Sequence, residues 1–191
     1  MISRFLSLAV LLPAALVAQD PAMPSSPRFV AILQLAQDGR ADSARATIGG
    51  ILTAIAPSDA DYPEALYTAA TIASSGEEAR LLFSRVAVEH PQSAWADKAL
   101  LRLAQLDFGT GDTEGAVNRV RRLMADYPQS NVLASAALWG ARAAFERKDD
   151  AQACEWLARG LTRVENNVEL RNQMEIARHR CSGDASPEAV S

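Results

Sequence analysis

The sequence predicts an all-α solenoid, a stack of about four helix pairs closed by one further helix. Three observations carry this. A segment of the chain is written twice: His90-Pro91-Gln92-Ser93 returns 37 residues later as Tyr127-Pro128-Gln129-Ser130. The same step takes Ala79 to Ala116 and Ala153, Phe83 to Val120 and Leu157, and Phe108 to Phe145, and a fixed period in this range marks a stacked repeat. The composition is 49% hydrophobic but only 6% aromatic, with abundant alanine, which has the highest helix propensity and lets helices approach closely. No run of alternating β-branched residues occurs, so no strand is expected.

Each element follows from its own periodicity and punctuation. Phe29, Val30, Ile32, Leu33 and Leu35 recur at helical spacing and stop at Asp38-Gly39. A second helix carries Ala41, Ala44, Ile48, Ile51, Leu52 and Ile55 and is stopped by Pro57. Ser58 or Asp59 is placed to cap a third, which runs through Ala65, Leu66, Ala69, Ala70 and Ile72 to Ser74-Ser75-Gly76. Its partner, Glu77 to Glu89, turns Ala79, Leu82, Phe83 and Val86 inward and ends at Pro91.

Ser93 is expected to cap a fifth helix through Ala96, Leu100, Leu103, Ala104 and Leu106. Gly109 and Gly111 end it, because glycine takes left-handed backbone angles at little cost. Asp112 or Thr113 caps a sixth, Glu114 to Tyr127, stopped by Pro128. Ser130 caps a seventh, Val132 to Arg147, with Leu133, Ala136, Ala137, Gly140, Ala141 and Ala144 along one side. Lys148-Asp149-Asp150 turns into an eighth, Ala151 to Val164. Asn166 or Asn167 caps a ninth that ends near Cys181 and is polar enough to serve as a terminal cap.

The two ends stand apart from this pattern. Arg4 precedes an apolar run from Phe5 to Ala18 that is the length of a signal-peptide core and short for a membrane span. Residues 1–18 are therefore expected to be an export signal cleaved after Ala18, the alternative being an uncleaved anchor. No Cys follows the run, so a lipid anchor is not indicated. Residues 19–27 read as a flexible leader, 28–181 as the repeat domain, and 182–191 as a disordered tail. The expected location is the bacterial periplasm. Removing residues 1–18 takes away one Arg and no acid, so the net charge of −4 becomes −5. Such a chain has no electrostatic reason to bind nucleic acid. After signal cleavage no membrane span remains.

Cys154 and Cys181 are the two cysteines. Export permits a disulfide between them, which would close a loop of about 28 residues worth roughly 3–4 kcal/mol in the chain-entropy model. Two unrelated buried thiols are the other reading. His179 lies beside Cys181, but four suitably spaced ligands are absent, so no metal site is expected.

Taken unit by unit, the pairs resemble the tetratricopeptide repeat. That family has a small residue late in the first helix, a Gly turn, an Ala early in the second helix and a Pro after it. Ala104, Gly111, Ala116 and Pro128 fit the pattern in the third unit, Gly39, Ala44 and Pro57 in the first, and Ala79, Phe83 and Pro91 in the second. The fourth keeps Ala141 and Ala153 but has Glu165 where Pro would stand. The resemblance covers residues 28–164. It implies a right-handed superhelical solenoid in which the first helix of each pair lines a concave face. The 37-residue step, longer than the usual period of about 34, and the Tyr-Pro-x-Ser ending resemble an envelope subgroup. That subgroup includes the Tol-Pal cell-division coordinator and the barrel-assembly lipoprotein. The missing anchor Cys and the lack of a heptad stretch before Phe29 mean that neither role transfers.

No catalytic arrangement stands out. Gly-x-Ser-x-Gly, a phosphate-binding Gly-rich loop and His-Glu-x-x-His are all missing from the sequence, and no cofactor is implied. His90 fills the slot of Tyr127 and reads as a packing residue. Glu77-Glu78 and Asp149-Asp150 sit at helix starts, where they favour the positive end of the dipole. Arg119, Arg121 and Arg122 read as a solvated outer face, or alternatively as a patch for an acidic partner or lipid headgroups.

The resemblance places Lys98, Leu101, Gln105 and Phe108 on the concave face, with Ser135, Leu138, Arg142, Phe145 and Glu146 one unit later. This mixture suits a peptide groove, with apolar anchors for affinity and charges for register. Phe108 and Phe145 equally suit packing between repeats. Trp95, Trp139 and Trp156 are assigned to core or inter-helix contacts. The functional expectation is a non-enzymatic exported scaffold or adaptor that holds a peptide or partner domain of the cell envelope. A structural subunit that oligomerises in division or outer-membrane assembly is the first alternative. An accessory domain to an envelope enzyme is the second.

Overall fold

The computed structural model describes residues 25–182. The expected signal at residues 1–18, the first part of the leader and the tail beyond Ser182 lie outside the described residues. The described chain forms nine helices: α1 Pro27–Gln37, α2 Ala41–Ala54, α3 Tyr62–Thr71, α4 Gly76–Glu89, α5 Ala96–Gly109, α6 Thr113–Asp126, α7 Leu133–Glu146, α8 Asp150–Leu161 and α9 Val168–Arg178. A 3-10 turn, His179–Ser182, follows α9. No strand occurs among the described residues. Each helix packs on its predecessor, and α1 also meets α3, α5 meets α7, and α7 meets α9. This is the nearest-neighbour pattern of a solenoid. Contacts of that extent are made between odd-numbered helices and not between even-numbered ones. The odd-numbered layer is therefore the more closely spaced, inner one.

The turns inside three of the four pairs use a left-handed residue. Gly39 (φ 80°) and Gly111 (φ 83°) supply it after α1 and α5, and Lys148 (φ 61°) supplies it after α7. Gly109, expected to help end the fifth helix, is instead the last residue of α5. Asp112, Asp149 and Asn167 cap α6, α8 and α9 by accepting from the backbone N–H groups of Gly115, Gln152 and Leu170. Ser75 accepts from Glu78 N, and Glu78 reaches back to the Ser74 N–H and hydroxyl. That reciprocal arrangement closes the start of α4, much as a capping box does.

The connections between pairs correct the sequence reading. Asp59, Ser93 and Ser130 are not N-caps, because α3, α5 and α7 begin three residues after each of them. Each residue instead forms a local turn in which its side chain accepts from the N–H two residues on: Asp61 at 2.9 Å, Trp95 at 3.4 Å and Val132 at 3.2 Å. Asp and Ser side chains compete with helix caps in this way. The shared device is a Pro followed two residues later by Asp or Ser, used at three successive junctions. The junctions are also tied in series. The Tyr127 hydroxyl donates to Pro91 O at 2.8 Å, and Arg163 Nη1 donates to Pro128 O at 3.0 Å. The eighth helix stops at Leu161 rather than Val164.

The core divides in two. Phe29, Ile32, Ala44, Ile48, Ala65, Ala69 and Ile72 pack the first pair against α3. A larger cluster runs from Tyr62 of α3 to Met174 of α9. Trp156 is buried in it, and Trp95 and Trp139 are partly buried against it. The last full unit exchanges large for small: the 37-residue step takes Leu103 to Gly140 and Arg119 to Trp156, so the indole lies against a helix surface with no side chain. Cys154 of α8 and Cys181 of the terminal turn form a disulfide, with Cα atoms 5.7 Å apart. It fastens the closing helix to the helix before it.

Candidate functional site

The inner layer presents a continuous run of side chains from α3 to the terminal turn. On α3, Tyr67 packs against Trp95 and Phe83, with ring centroids 4.9 and 5.2 Å away. Burial pushes its hydroxyl pKa up, and the neighbouring Arg102 guanidinium opposes that shift. On α5, Arg102 Nη1 donates to Gln105 Oε1 at 3.1 Å. One turn later, Phe108 meets Trp139 of α7 edge-on, 5.7 Å between centroids. The Arg142 guanidinium lies 4.8 Å over the Trp139 ring and donates to Gln173 Oε1 of α9 at 3.1 Å. Phe145 ends the run on α7 beneath Arg180, whose guanidinium is 4.0 Å above the ring.

The structure divides the residues that the sequence grouped. Leu101 (8% exposed), Leu138 (2%) and Phe145 (4%) are buried in the core. Their apolar side chains face the neighbouring helices, and Phe145 is also roofed by Arg180. Lys98, Gln105, Phe108, Ser135 and Arg142 are partly exposed and Glu146 is exposed, so these six reach the surface. Lys98 Nζ is held by Ala94 O at 2.7 Å and by the Asp97 carboxylate at 3.5 Å. Arg102, Gln173 and Arg180 belong to the same face and were not singled out by sequence. The 37-residue step did not mark Arg180, which lies 35 residues after Phe145 in the turn beyond α9.

Beside this run, at the starts of α5, α7 and α9, lies an open cleft of about 1180 Å³ bordered by Lys98, Tyr127, Ser130, Ser135, Arg163 and Asn167. Its floor is held by Ser130, whose hydroxyl donates to Asp97 Oδ2 at 2.6 Å.

The other polar groups are architectural. Asp107 of α5 is almost wholly buried between Arg80 of α4 and Arg119 of α6, the latter at 3.4 Å, so one carboxylate ties three helices. Arg122 pairs with Asp126, and Arg121 donates to Asn118 and Gln152. Of the expected outer basic cluster, Arg119 thus turns inward. His90 packs against the Tyr62 ring, 5.6 Å between centroids, and its buried Nε2 has no partner among the described residues. Glu64 of α3 is buried and accepts from Ser26 N at 2.9 Å; burial pushes its carboxyl pKa up. Among the described residues no group of three His, Cys, Asp or Glu side chains converges to hold a metal ion. No helix there is long and apolar enough to cross a membrane.

No family model matches the chain, and no curated protein matches it. Among solved structures, the crystal structure of MamA, a tetratricopeptide-like helical repeat protein, superposes with a TM-score of 0.60 at 15% identity, over 78% of this chain and 83% of that one. At that identity the likeness is one of fold, and the fold shared is the tetratricopeptide-like solenoid.

Proposed function

We propose that the protein is a docking scaffold that holds a peptide or partner domain against its inner helix layer. The observation that carries this is the unbroken surface run from Tyr67 through Arg102, Phe108, Trp139 and Arg142 to Arg180, which crosses three successive repeats. Aromatic side chains and arginine dominate binding energy at protein interfaces, and an extended inner surface is what solenoids use for partners. The tetratricopeptide-like fold supports the same reading. The partner-facing set on this reading is Lys98, Gln105, Phe108, Ser135, Arg142 and Glu146, extended by Arg102, Trp139 and Arg180. The apolar run at Phe5–Ala18 and the Cys154–Cys181 disulfide support an exported, periplasmic setting, with a partner in the cell envelope.

Site-specific photocrosslinking tests this. A photoreactive residue at Gln105 or Gln173 is expected to capture one discrete partner, and the same probe at Leu81 on the outer face of α4 is not. Capture from Leu81 alone would place docking on the other side of the molecule and remove the proposal.

A second reading has its own observation. Val168 and Ile176, on the outward side of the closing helix, are 68% and 70% exposed. An apolar pair at an open solenoid end suits end-to-end self-association. Light scattering across a concentration series decides it: a mass that stays monomeric throughout excludes the oligomeric subunit.

A further inference from the structure

The charges of this chain are unevenly matched. On the even-numbered helices, Arg45, Arg80, Arg85, Arg119, Arg122 and Arg159 each meet a carboxylate. Arg121 alone turns to neutral amides instead. Part of the inner layer is arranged the other way: Arg28 of α1 meets Asp61 and Lys98 of α5 meets Asp97, but three guanidinium groups further along do not follow them. Arg102 is held by the amide of Gln105 and Arg142 by the amide of Gln173, while Arg180 rests on the Phe145 ring. None of these three guanidinium groups has a carboxylate partner among the described residues. Acids are not scarce, since the sequence holds 23 against 19 basic residues. The acids nearest Arg102 in sequence are engaged elsewhere, Asp97 with Lys98 and Asp107 with Arg80 and Arg119, while Glu146, four residues after Arg142, is exposed.

The way these arginines are held matters. A guanidinium stacked on an aromatic ring uses its flat face for the stack and keeps its planar fork of donors for a carboxylate. An amide partner positions the group without neutralising it. Arg142 and Arg180 are stacked, and Arg102 and Arg142 are positioned by amides. Among the described residues the three are therefore oriented, charged and unneutralised on one surface of an otherwise acidic molecule.

We infer that this face takes an acidic peptide segment of a partner, whose carboxylates meet Arg102, Arg142 and Arg180 edge-on while apolar side chains between them lie against Phe108 and Trp139. The inference rests on the docking reading above and adds the chemistry of the partner. Positive potential here also steers an acidic segment onto the face and disfavours a basic one. Lys98 lines the same face but offers no free charge, because Asp97 already pairs with it.

The test is selection from a library of short random peptides displayed on phage against the full chain, with the isolated peptides then measured by fluorescence anisotropy. Enriched peptides are expected to be net acidic and to lose affinity as salt is raised. Each of Arg102→Gln, Arg142→Gln and Arg180→Gln should weaken binding roughly three- to five-fold, the range of a partly exposed ion pair, with unchanged circular dichroism. The triple variant should weaken binding by roughly 30- to 100-fold if the three effects add in free energy. Enrichment of neutral or basic peptides, or acidic peptides whose affinity survives the triple variant, would overturn the inference and leave docking itself standing. If no peptide is enriched and photocrosslinking at Gln105 captures nothing, the docking reading fails and this inference fails with it.

Discussion

Gly140 stands in the middle of α7, and two effects disagree about replacing it with alanine. Propensity favours the change, since glycine in a helix interior costs about 1 kcal/mol relative to alanine. Packing opposes it. A Cβ at Gly140 would lie 2.6 Å from both Cε3 and Cζ3 of Trp156 and 2.7 Å from Cγ1 of Val120. Carbon atoms sit best at about 3.5–4.0 Å, so three contacts overlap by roughly 1 Å each. Neither neighbour has room to retreat, because Val120 is fully buried and Trp156 is 4% exposed. Overpacking of this kind costs typically about 1–3 kcal/mol, and three simultaneous overlaps put it at the upper end. Gly140→Ala should therefore destabilise by roughly 2 kcal/mol net. Gly49→Ala in α2 is the control: an added Cβ there meets nothing within 4 Å, so the variant should stabilise by roughly 0.5–1 kcal/mol. Urea unfolding followed by far-UV circular dichroism, with the slopes compared to confirm a common transition, measures both. If Gly140→Ala shifts the midpoint upward as Gly49→Ala does, the Trp156 seat is not tight and the packing argument is wrong.

Replacing Cys154 and Cys181 together by Ser should lower stability by roughly 3 kcal/mol and speed amide exchange in α9 first; equal loss of protection in α1 would contradict the placement of the bridge. Asp107→Ala leaves two arginines without their shared carboxylate. Because Arg80 and Arg119 remain 34% exposed, the expected loss is roughly 1–3 kcal/mol, below the cost of breaking a fully buried pair, and thermal melts of Asp107→Ala against Asp97→Ala will show which junction matters more. Glu64 gives a pH signature. Burial raises its carboxyl pKa above the ordinary 4.5, so the unfolded chain releases the proton first and the fold loses stability as pH rises from 4.5 through the raised value. Glu64→Gln, which keeps an acceptor for Ser26 N, should remove that decline. Its advantage should vanish below pH 4.5, and an advantage that grows on acidification would reverse the sign of the argument.

The helix pairs were legible because apolar spacing and Pro or Gly punctuation are local signals, and α1 to α9 follow them closely. The caps were legible only in part. Asp112 and Asn167 cap as expected and Asp149, read from sequence as a turn residue, also caps, but Asp59, Ser93 and Ser130 use their side chains in a turn two residues long. Sequence cannot separate these outcomes, since the same oxygen serves either donor. The family resemblance implied the inner layer, yet it could not say that Leu101, Leu138 and Phe145 sink into the core while Phe108 and Arg142 stay at the surface. That division depends on how closely each inner helix meets the next. Asp107 was silent for another reason: its partners Arg80 and Arg119 lie 27 residues before it and 12 after it, on helices brought together only by stacking.

The latched junctions and the disulfide give the stack a direction. At its C-terminal end a covalent bond closes the array, and the Tyr127 and Arg163 latches tie the last junctions to one another. At its N-terminal end, α1 and α2 rest on a separate, smaller core. A linear array loosens from its weaker end, so fraying should travel from α1 towards α7, and amides of α1 and α2 should exchange well before those of α7 and α8. Most of the inner face that carries Arg102, Arg142 and Arg180 lies towards the fastened end. A tug on the N-terminal helices would peel the stack like a strip from a fixed clamp, and the surface proposed to grip a partner would be the last to let go.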